Sequence, residues 1–334
     1  MSFRAGAIPT VARWVQVAGP AGAAEDLRRV ITVLGSINLD LIGRVARLPQ
    51  PGETVPGSGF TTAPGGKGAN QALAAARAGA AVTMIGAVGD DGFASEALAL
   101  LSAGGVDLQR VRTAGAPTGI ALILVDEEGE NVIAVIPGAN GTVTAGDVAD
   151  LAFAAGDVLL LQLEVPVAAM QAAARRAQAD GAQVLLNFAP FRDDAVALTP
   201  LATHLIVNET ECALVAKALG IAGASVAEQA GGLARRNDMT VIVTLGKKGA
   251  LAIADGDVQS VPALAVDAVD TVGAGDTFCG YLAAALAEAM PLGEALVLAS
   301  TAAGLACTKP GAQPAIPERS DVAALLARDR TLAT

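Results

Sequence analysis

Val158-Leu159-Leu160-Leu161, the alanine-rich stretch running from it to Asp180, and then Val184-Leu185-Leu186 decide the fold class. Each short run is apolar throughout rather than alternating, so it reads as a strand buried on both faces, and the stretch between has helical composition and length. Downstream, His204-Leu205-Ile206-Val207 and Val241-Ile242-Val243 are further runs of the same kind. Upstream, residues 31–35 and 82–85 look like earlier members of the same sheet. Short apolar strands separated by helical segments specify an α/β fold with a mostly parallel central sheet covered on both faces.

Polar residues fall where these strands end. Asn38 and Asp40 follow the first strand; Glu164, Asn187, Asn208 and Thr244 each follow a later one. In open α/β sheets, ligands bind outside the carboxyl ends of the strands, so these side chains are expected to converge on one crevice. Singly, each reads better as a helix cap or turn residue. Five strands ending this way favour a shared site.

Residues 40–63 and 118–136 do not fit the alternation. Ile120-Ala121-Leu122-Ile123-Leu124-Val125 and Asn131-Val132-Ile133-Ala134-Val135-Ile136 flank the turn-rich Asp126-Glu127-Glu128-Gly129 and read as a hairpin. A small sheet beside the main domain is expected, with strands from about 40–63 and 112–137. A water-excluding lid is its functional reading and a homodimer interface its structural one, and both can hold. Residues 1–30 carry Arg4 and Arg13, no acid before Glu25, and a Gly/Pro/Ala stretch at 19–24. Arg13 breaks the only apolar core a secretory signal could use. An organellar transit segment is an alternative; a disordered extension, or a start codon placed too early, is the plainer reading. The folded domain is expected over 31–330.

Apolar residues make up 53% of the 334-residue chain and charged residues 16%. Yet the longest uncharged helical-looking run, 295–308, is too short for a bilayer and contains Ser, Gly and Thr. A net charge of −11 argues against a nucleic-acid partner, which would need a basic patch. It does not exclude nucleotide phosphates, which backbone N–H groups and a metal ion can hold locally. Cys212, Cys279 and Cys307 have neither paired nor metal-type spacing, so a reduced, cytoplasmic setting is expected.

Three segments carry the chemistry. Asp270-Thr271-Val272-Gly273-Ala274-Gly275-Asp276-Thr277-Phe278 opens a helix predicted over 278–288. Small residues at a helix start let backbone N–H groups approach a phosphate, and the helix dipole favours negative charge there. An ordinary cap by Asp276 or Thr277 is the alternative, but three consecutive small residues exceed what a cap needs. Asp276 would repel a pyrophosphate; it makes sense as a base that takes the proton of an attacking hydroxyl. Gly65-Gly66-Lys67-Gly68-Ala69-Asn70 precedes a helix predicted over 71–79, with Lys67 and Asn70 as donors for hydroxyls or phosphate, or as a plain glycine-rich turn. It lacks the ending and spacing of a Walker A loop. Asn208-Glu209-Thr210-Glu211 enters a helix either as a dipole complement or as a holder of hydrated Mg²⁺.

With Asp-Thr-x-Gly-Ala-Gly-Asp at 270–276 and Gly-Gly-Lys-Gly-Ala-Asn at 65–70, the sequence resembles the ribokinase (PfkB-type) carbohydrate kinase family over about residues 31–328. Gly-Ser-Ile-Asn-Leu-Asp at 35–40, Gln162-Leu163-Glu164, Asn208 to Glu211, and Lys309-Pro310-Gly311-Ala312-Gln313-Pro314 add to it. The resemblance implies a three-layer sandwich with a small β-sheet lid, and ATP-dependent phosphorylation of D-ribose at O5. Asn38, Asp40, Gly66, Lys67, Gly68, Asn70 and Glu164 would bind the sugar. Asp276 would be the base, with Gly273, Ala274 and Gly275 as the anion hole. Asn208 and Glu211 would serve the nucleotide phosphates and Mg²⁺, the latter through water. Thr244, Leu245, Gly246, Lys247, Lys248 and Gly249 would line the ATP site, with Gly275 and Ser300 near it. An activating K⁺ would sit on Asp270 and the carbonyls of Val272, Ala306, Lys309 and Gly311.

Two positions depart from that pattern. Ala315 stands where a serine commonly adds a K⁺ ligand, and Ser300 where a histidine can lie against the nucleotide. The cysteines beside the three motifs suggest sensitivity to thiol reagents, with Cys279 foremost, against the plainer reading of three buried small residues. His204 reads as a mid-strand core residue. Other furanoses, deoxyribose and nucleosides remain alternative substrates, the few aromatics disfavouring nucleosides. A non-catalytic sugar sensor is a further alternative, and a dinucleotide-dependent dehydrogenase is weaker still because no Gly-x-Gly-x-x-Gly follows the first strand.

Overall fold

In the computed structural model the described residues are 29–332, so the extension expected over residues 1–30 lies outside them except for Arg29 and Val30. The chain forms β1 (Val30–Leu34), β2 (Asn38–Val45), β3 (Gly57–Gly65), α1 (Lys67–Arg77), β4 (Ala81–Gly89), α2 (Gly92–Ala103) and β5 (Asp107–Ala114). There follow β6 (Gly119–Val125), β7 (Asn131–Ile136), β8 (Val158–Gln162), α3 (Val167–Ala179), β9 (Gln183–Asn187), β10 (His204–Asn208) and α4 (Glu209–Ala218). The remainder is α5 (Val226–Asn237), β11 (Thr240–Thr244), β12 (Ala250–Ala254), β13 (Asp257–Val261), α6 (Ala274–Ala287), α7 (Leu292–Ala306) and α8 (Arg319–Leu332).

The nine-stranded sheet has the order β13-β12-β11-β10-β9-β8-β1-β4-β5. All neighbours from β11 to β5 are parallel; β12 and β13 close one edge as antiparallel strands. β8 is buried along its whole length because helices cover both faces. One apolar layer packs α1, α6 and α7 on the sheet, and the other packs α3, α4 and α5. The result is a three-layer sandwich.

The chain leaves β1 on one side to form β4 and β5, then returns on the other through β8. That reversal between β1 and β8 opens a crevice at the carboxyl ends of the strands, the usual ligand position in such sheets. The second sheet, β3-β2-β6-β7, stands over this end. β2 pairs antiparallel with β3 and parallel with β6, and β6 and β7 form the hairpin read from the sequence. Residues 112–114, expected in the small sheet, belong to β5 at the edge of the large one, where alternating exposure reflects an edge strand.

Helix α6 is apolar on nearly every face and buried from Asp276 to Ala287, which fits a helix enclosed by the sheet, α1 and α7. Gly280 brings α1 and α6 together: a Cβ there would lie 2.5 Å from the Ala74 Cβ and from the Gln71 carbonyl oxygen. At the far side, Tyr281 donates its hydroxyl to Pro317 O at 2.8 Å, pinning the segment before α8. Among the described residues no helix is long and apolar enough to cross a membrane.

Candidate active site

Two adjoining parts of the crevice contain most of the polar residues picked out in the sequence. Lys67, Asn187, Asn208, Glu211, Thr244, Gly273, Gly275 and Asp276 line one. Ser36, Asn38, Asn140, Glu164 and Arg192, with Val135, Pro137 and Leu163, line the other. Both predicted helix starts shift upstream. α1 begins at Lys67 rather than 71, and α6 at Ala274 rather than 278. Lys67, Asn70 and Asp276 therefore stand in first helical turns, because the glycines at 66 and 273 act as the boundary residues.

Gly273 has φ 76°, a left-handed conformation costly for any residue with a Cβ, and a Cβ there would lie 2.9 Å from Ala312 Cα. Thr277 N donates to Gly273 O at 2.8 Å, while the N–H groups of Gly275 and Asp276 have no intrahelical acceptor. They sit at the positive end of the helix dipole, facing the first part of the crevice.

Asp276 is 7% exposed, and both carboxylate oxygens accept amide hydrogens. Asn70 Nδ2 donates to Oδ2 at 2.9 Å, and Gln71 Nε2 to Oδ1 at 2.8 Å. An ionised carboxylate can accept from a third donor, such as an alcohol. Asn70 Oδ1 is buried without a partner, so an acceptor beside Asp276 awaits a donor. Lys67 is held above the usual ammonium range chiefly by the charge of Asp276; burial opposes this, and Glu164 and Glu211 add to it. Lys67 is thus the cation among three carboxylates.

On the other side, Glu164 is fixed through one oxygen, Oε2, which accepts from the Ser36 hydroxyl and from Lys67 N at 3.0 Å. Asn140 donates to Asn38 Oδ1 at 2.7 Å, leaving the Asn38 amide nitrogen as the group available to a ligand. Asp40 is raised to about 6, first by burial and then by the negative charges of Glu164 and Asp276. A donor at Asn38 and an acceptor at Asp40 stand on one face of β2, which suits a pair of neighbouring hydroxyls.

Asn208 and Glu211 cap α4 reciprocally. Asn208 Oδ1 accepts from Glu211 N, and Glu211 Oε2 from Asn208 N, each at 2.8 Å. The dipole-complement reading therefore holds, while Glu211 Oε1 remains beyond the cap; burial raises Glu211. Thr244 Oγ1 reaches Val207 O at 3.4 Å. Residues Gly246–Lys248 form a single 3-10 turn closed by Leu245 N to Gly249 O, with Lys248 near Glu209 at 3.4 Å. Ser300 turns its hydroxyl onto Pro262 O at 3.0 Å.

The segments expected around K⁺ adjoin one another. Asp270 Oδ1 accepts from Val272 N at 3.0 Å and Oδ2 from Gly311 N at 2.8 Å. Lys309 N donates to Ala306 O at 3.3 Å, and Ala315 is buried. Cys212 and Cys279 are buried, and burial raises both thiols, Cys279 well above its usual value; Cys307 is half-buried. His204 opens β10 rather than lying mid-strand, and burial lowers it to about 4.

Gln71, Ser36, Asn140 and Arg192 were not singled out in the sequence. Ser36 lies inside the 35–40 segment and Gln71 directly follows the 65–70 one, so proximity was their only signal. Asn140 follows Gly138-Ala139, a turn with no distinguishing chemistry.

The family description "pfkB family carbohydrate kinase" matches residues 28–319. The chain is 36% identical over 298 residues to a ribokinase of Haemophilus influenzae, covering 88% of this chain and 97% of that one. It is 33% identical over 291 residues to a deoxyribokinase of Salmonella typhi, covering 86% and 95%. Among solved structures, Arabidopsis thaliana ribokinase complexed with ribose and ATP superimposes with a TM-score of 0.79 at 29% identity, covering 90% of this chain and 99% of that one.

Proposed function

The chain belongs to the pfkB family of carbohydrate kinases, and on that premise we propose that it transfers the γ-phosphoryl group of ATP to the 5-hydroxyl of D-ribose. The observation that carries this reading is the Asp276 carboxylate, held by two amide donors in the first turn of α6 and lining the first part of the crevice. The pentose lies on the Asn38, Asp40 and Glu164 side, with Asn70 Oδ1 as a further acceptor and its 5-hydroxyl at Asp276. Asp276 takes the hydroxyl proton as the new O–P bond forms and the bond to the ADP oxygen breaks. A weak base suffices because the transition state is loose and the proton leaves late. Free N–H groups at Gly275 and Asp276, the α6 dipole and Lys67 stabilise charge on the transferring group.

Glu211 retains one oxygen beyond its cap and fits water-mediated contact with Mg²⁺; with Asn208 it would stand by the nucleotide phosphates. Asp270 with main-chain carbonyls of Val272, Ala306, Lys309 and Gly311 suits an oxygen-coordinated K⁺, without a hydroxyl at Ala315. When bound, the two ions would neutralise phosphate charge and support the α6 start. Apolar exposure at Leu122, Val132 and Ile136 supports a homodimer through the small sheet. Three free cysteines support a cytoplasmic setting.

The Asn38–Asp40 pair favours ribose over deoxyribose, since it offers a donor and an acceptor to adjacent hydroxyls. ADP release over a panel of pentoses, hexoses and nucleosides, with and without K⁺, tests the reading. Highest kcat/KM with D-ribose supports it; no turnover on any sugar sinks it.

A further inference from the structure

Gln71, one residue beyond the glycine-rich motif, has no exposed surface and uses every hydrogen-bonding direction of its amide but one. Its Nε2 donates to Asp276 Oδ1 at 2.8 Å and to Asn187 Oδ1 at 3.0 Å, and its Oε1 accepts from Gln162 Nε2 at 2.7 Å. The two acceptors set the polarity of the amide. With Asp276 Oδ1 and Asn187 Oδ1 both needing a donor, the NH₂ group faces them and the oxygen is left to accept from Gln162. Asn187 is itself fixed through its Nδ2 to Ile206 O at 3.2 Å. The chain Gln162–Gln71–Asp276 thus links the ends of β8 and β9 to the start of α6.

The backbone is shaped for this contact. The α1–α6 approach at Gly280 leaves no room for a Cβ beside the Gln71 carbonyl. An apolar residue at 71 could fill the same space, but it would leave Asp276 with one amide donor and Asn187 Oδ1 unpaired. The other charges around Asp276 are Lys67, Asp40 and the Cys279 thiol, with Glu164 and Glu211 acting on Lys67. None of these is a donor whose position is fixed from the sheet.

We infer that Gln71 is a positioning residue for phosphoryl transfer: it holds the Asp276 carboxylate in the orientation that meets the attacking hydroxyl, and Gln162 supports it by donating to its amide oxygen. This rests on Asp276 acting as the base, as proposed above. A merely structural network would use the same contacts, so the test must read coupling to the base.

The experiment is a double-mutant cycle of Gln71→Met and Asp276→Asn on the full chain, reading kcat with D-ribose and sugar Kd by calorimetry. Misplacing a reacting group by about 1 Å can cost ~10²-fold. Gln71→Met should therefore lower kcat by roughly 10–100-fold, with Kd within about threefold of the parent. On top of Asp276→Asn it should cost less than about threefold, because the group it positions is already gone. Equal fold-losses in both backgrounds, or an unchanged kcat in the single variant, overturn the inference. If Gln71→Met does not fold, Gln162→Met replaces it in the cycle, with a smaller loss expected and the same outcomes deciding. Thermal unfolding of the same four proteins checks that each is folded at the assay temperature, so that the kcat losses report on the base and not on unfolding. A parent enzyme that releases no ADP with any sugar would instead defeat the kinase reading, so the two failures are distinguishable.

Discussion

Asn70 and Asp276, 206 residues apart in the chain, are joined by a 2.9 Å hydrogen bond from Nδ2 to Oδ2. That bond makes one site of two glycine-rich helix starts. The start of α1 supplies donors and a cation, and the start of α6 supplies a carboxylate and free N–H groups.

The two glycines before Asp276 should separate stability from activity. Gly273→Ala places a Cβ in a left-handed conformation and against Ala312. It should cost about 1–2 kcal/mol or more, seen as a melting temperature several degrees lower. Gly275 has open space around its Cβ position yet lines the crevice. Gly275→Ala should melt within about 2 °C of the parent and still lose roughly tenfold or more in kcat, by crowding the transferring group. Equal activity in parent and Gly275→Ala would remove that turn from the anion hole.

Asp40 gives the site a pH dependence. Its value in the folded protein, about 6, lies above the 3.8 of an unperturbed aspartate. A raised folded value means that its contribution to stability is fully present below about 3.8 and is lost as pH rises towards 6. Ionisation costs the free protein stability but creates the acceptor that the sugar needs. Sugar affinity, measured by calorimetry, should rise between pH 5 and 7, and Asp40→Asn should flatten that rise while weakening binding. A parent whose affinity is flat over this window would count against Asp40 as a sugar contact.

The large sheet was legible in the sequence because helices cover both its faces, so β8, β10 and β11 are unbroken apolar runs. Strand-end residues Glu164, Asn208 and Thr244 were legible for a related reason: polar groups there need either a cap or a ligand. The boundaries of α1 and α6 were not legible, since glycine-rich starts look like loops until a left-handed residue such as Gly273 is seen to end them. The last three residues of β5, 112–114, were assigned to the small sheet for a related reason, because an edge strand alternates like a lid strand. Gln71 was invisible for a different reason. Its role depends on α1 crossing α6 at Gly280, a contact between residues more than two hundred positions apart.

The cap between Asn208 and Glu211 predicts a split between two variants. Asn208→Ala removes the side-chain acceptor and should cost about 1 kcal/mol, seen as a lower melting temperature. Glu211→Gln keeps a carbonyl oxygen for the cap and loses only the charge. It should melt nearly like the parent but need several-fold more Mg²⁺ for half-maximal ADP release. An unchanged Mg²⁺ requirement would leave Glu211 with capping alone.

Thiol labelling should follow burial rather than nearness to the motifs. Native protein treated with iodoacetamide and read by mass spectrometry should label Cys307 first, with Cys212 and Cys279 protected until unfolding. Rapid native labelling of Cys279 would contradict the packing of α6.

The most direct test of the central claim is kcat for ADP release with D-ribose, compared between the parent and Asp276→Asn, alongside sugar and ATP affinities. The predicted result is a loss of ~10²–10⁴-fold in kcat, the usual range for a general base, with both ligands still bound. Near-normal turnover in Asp276→Asn would contradict it.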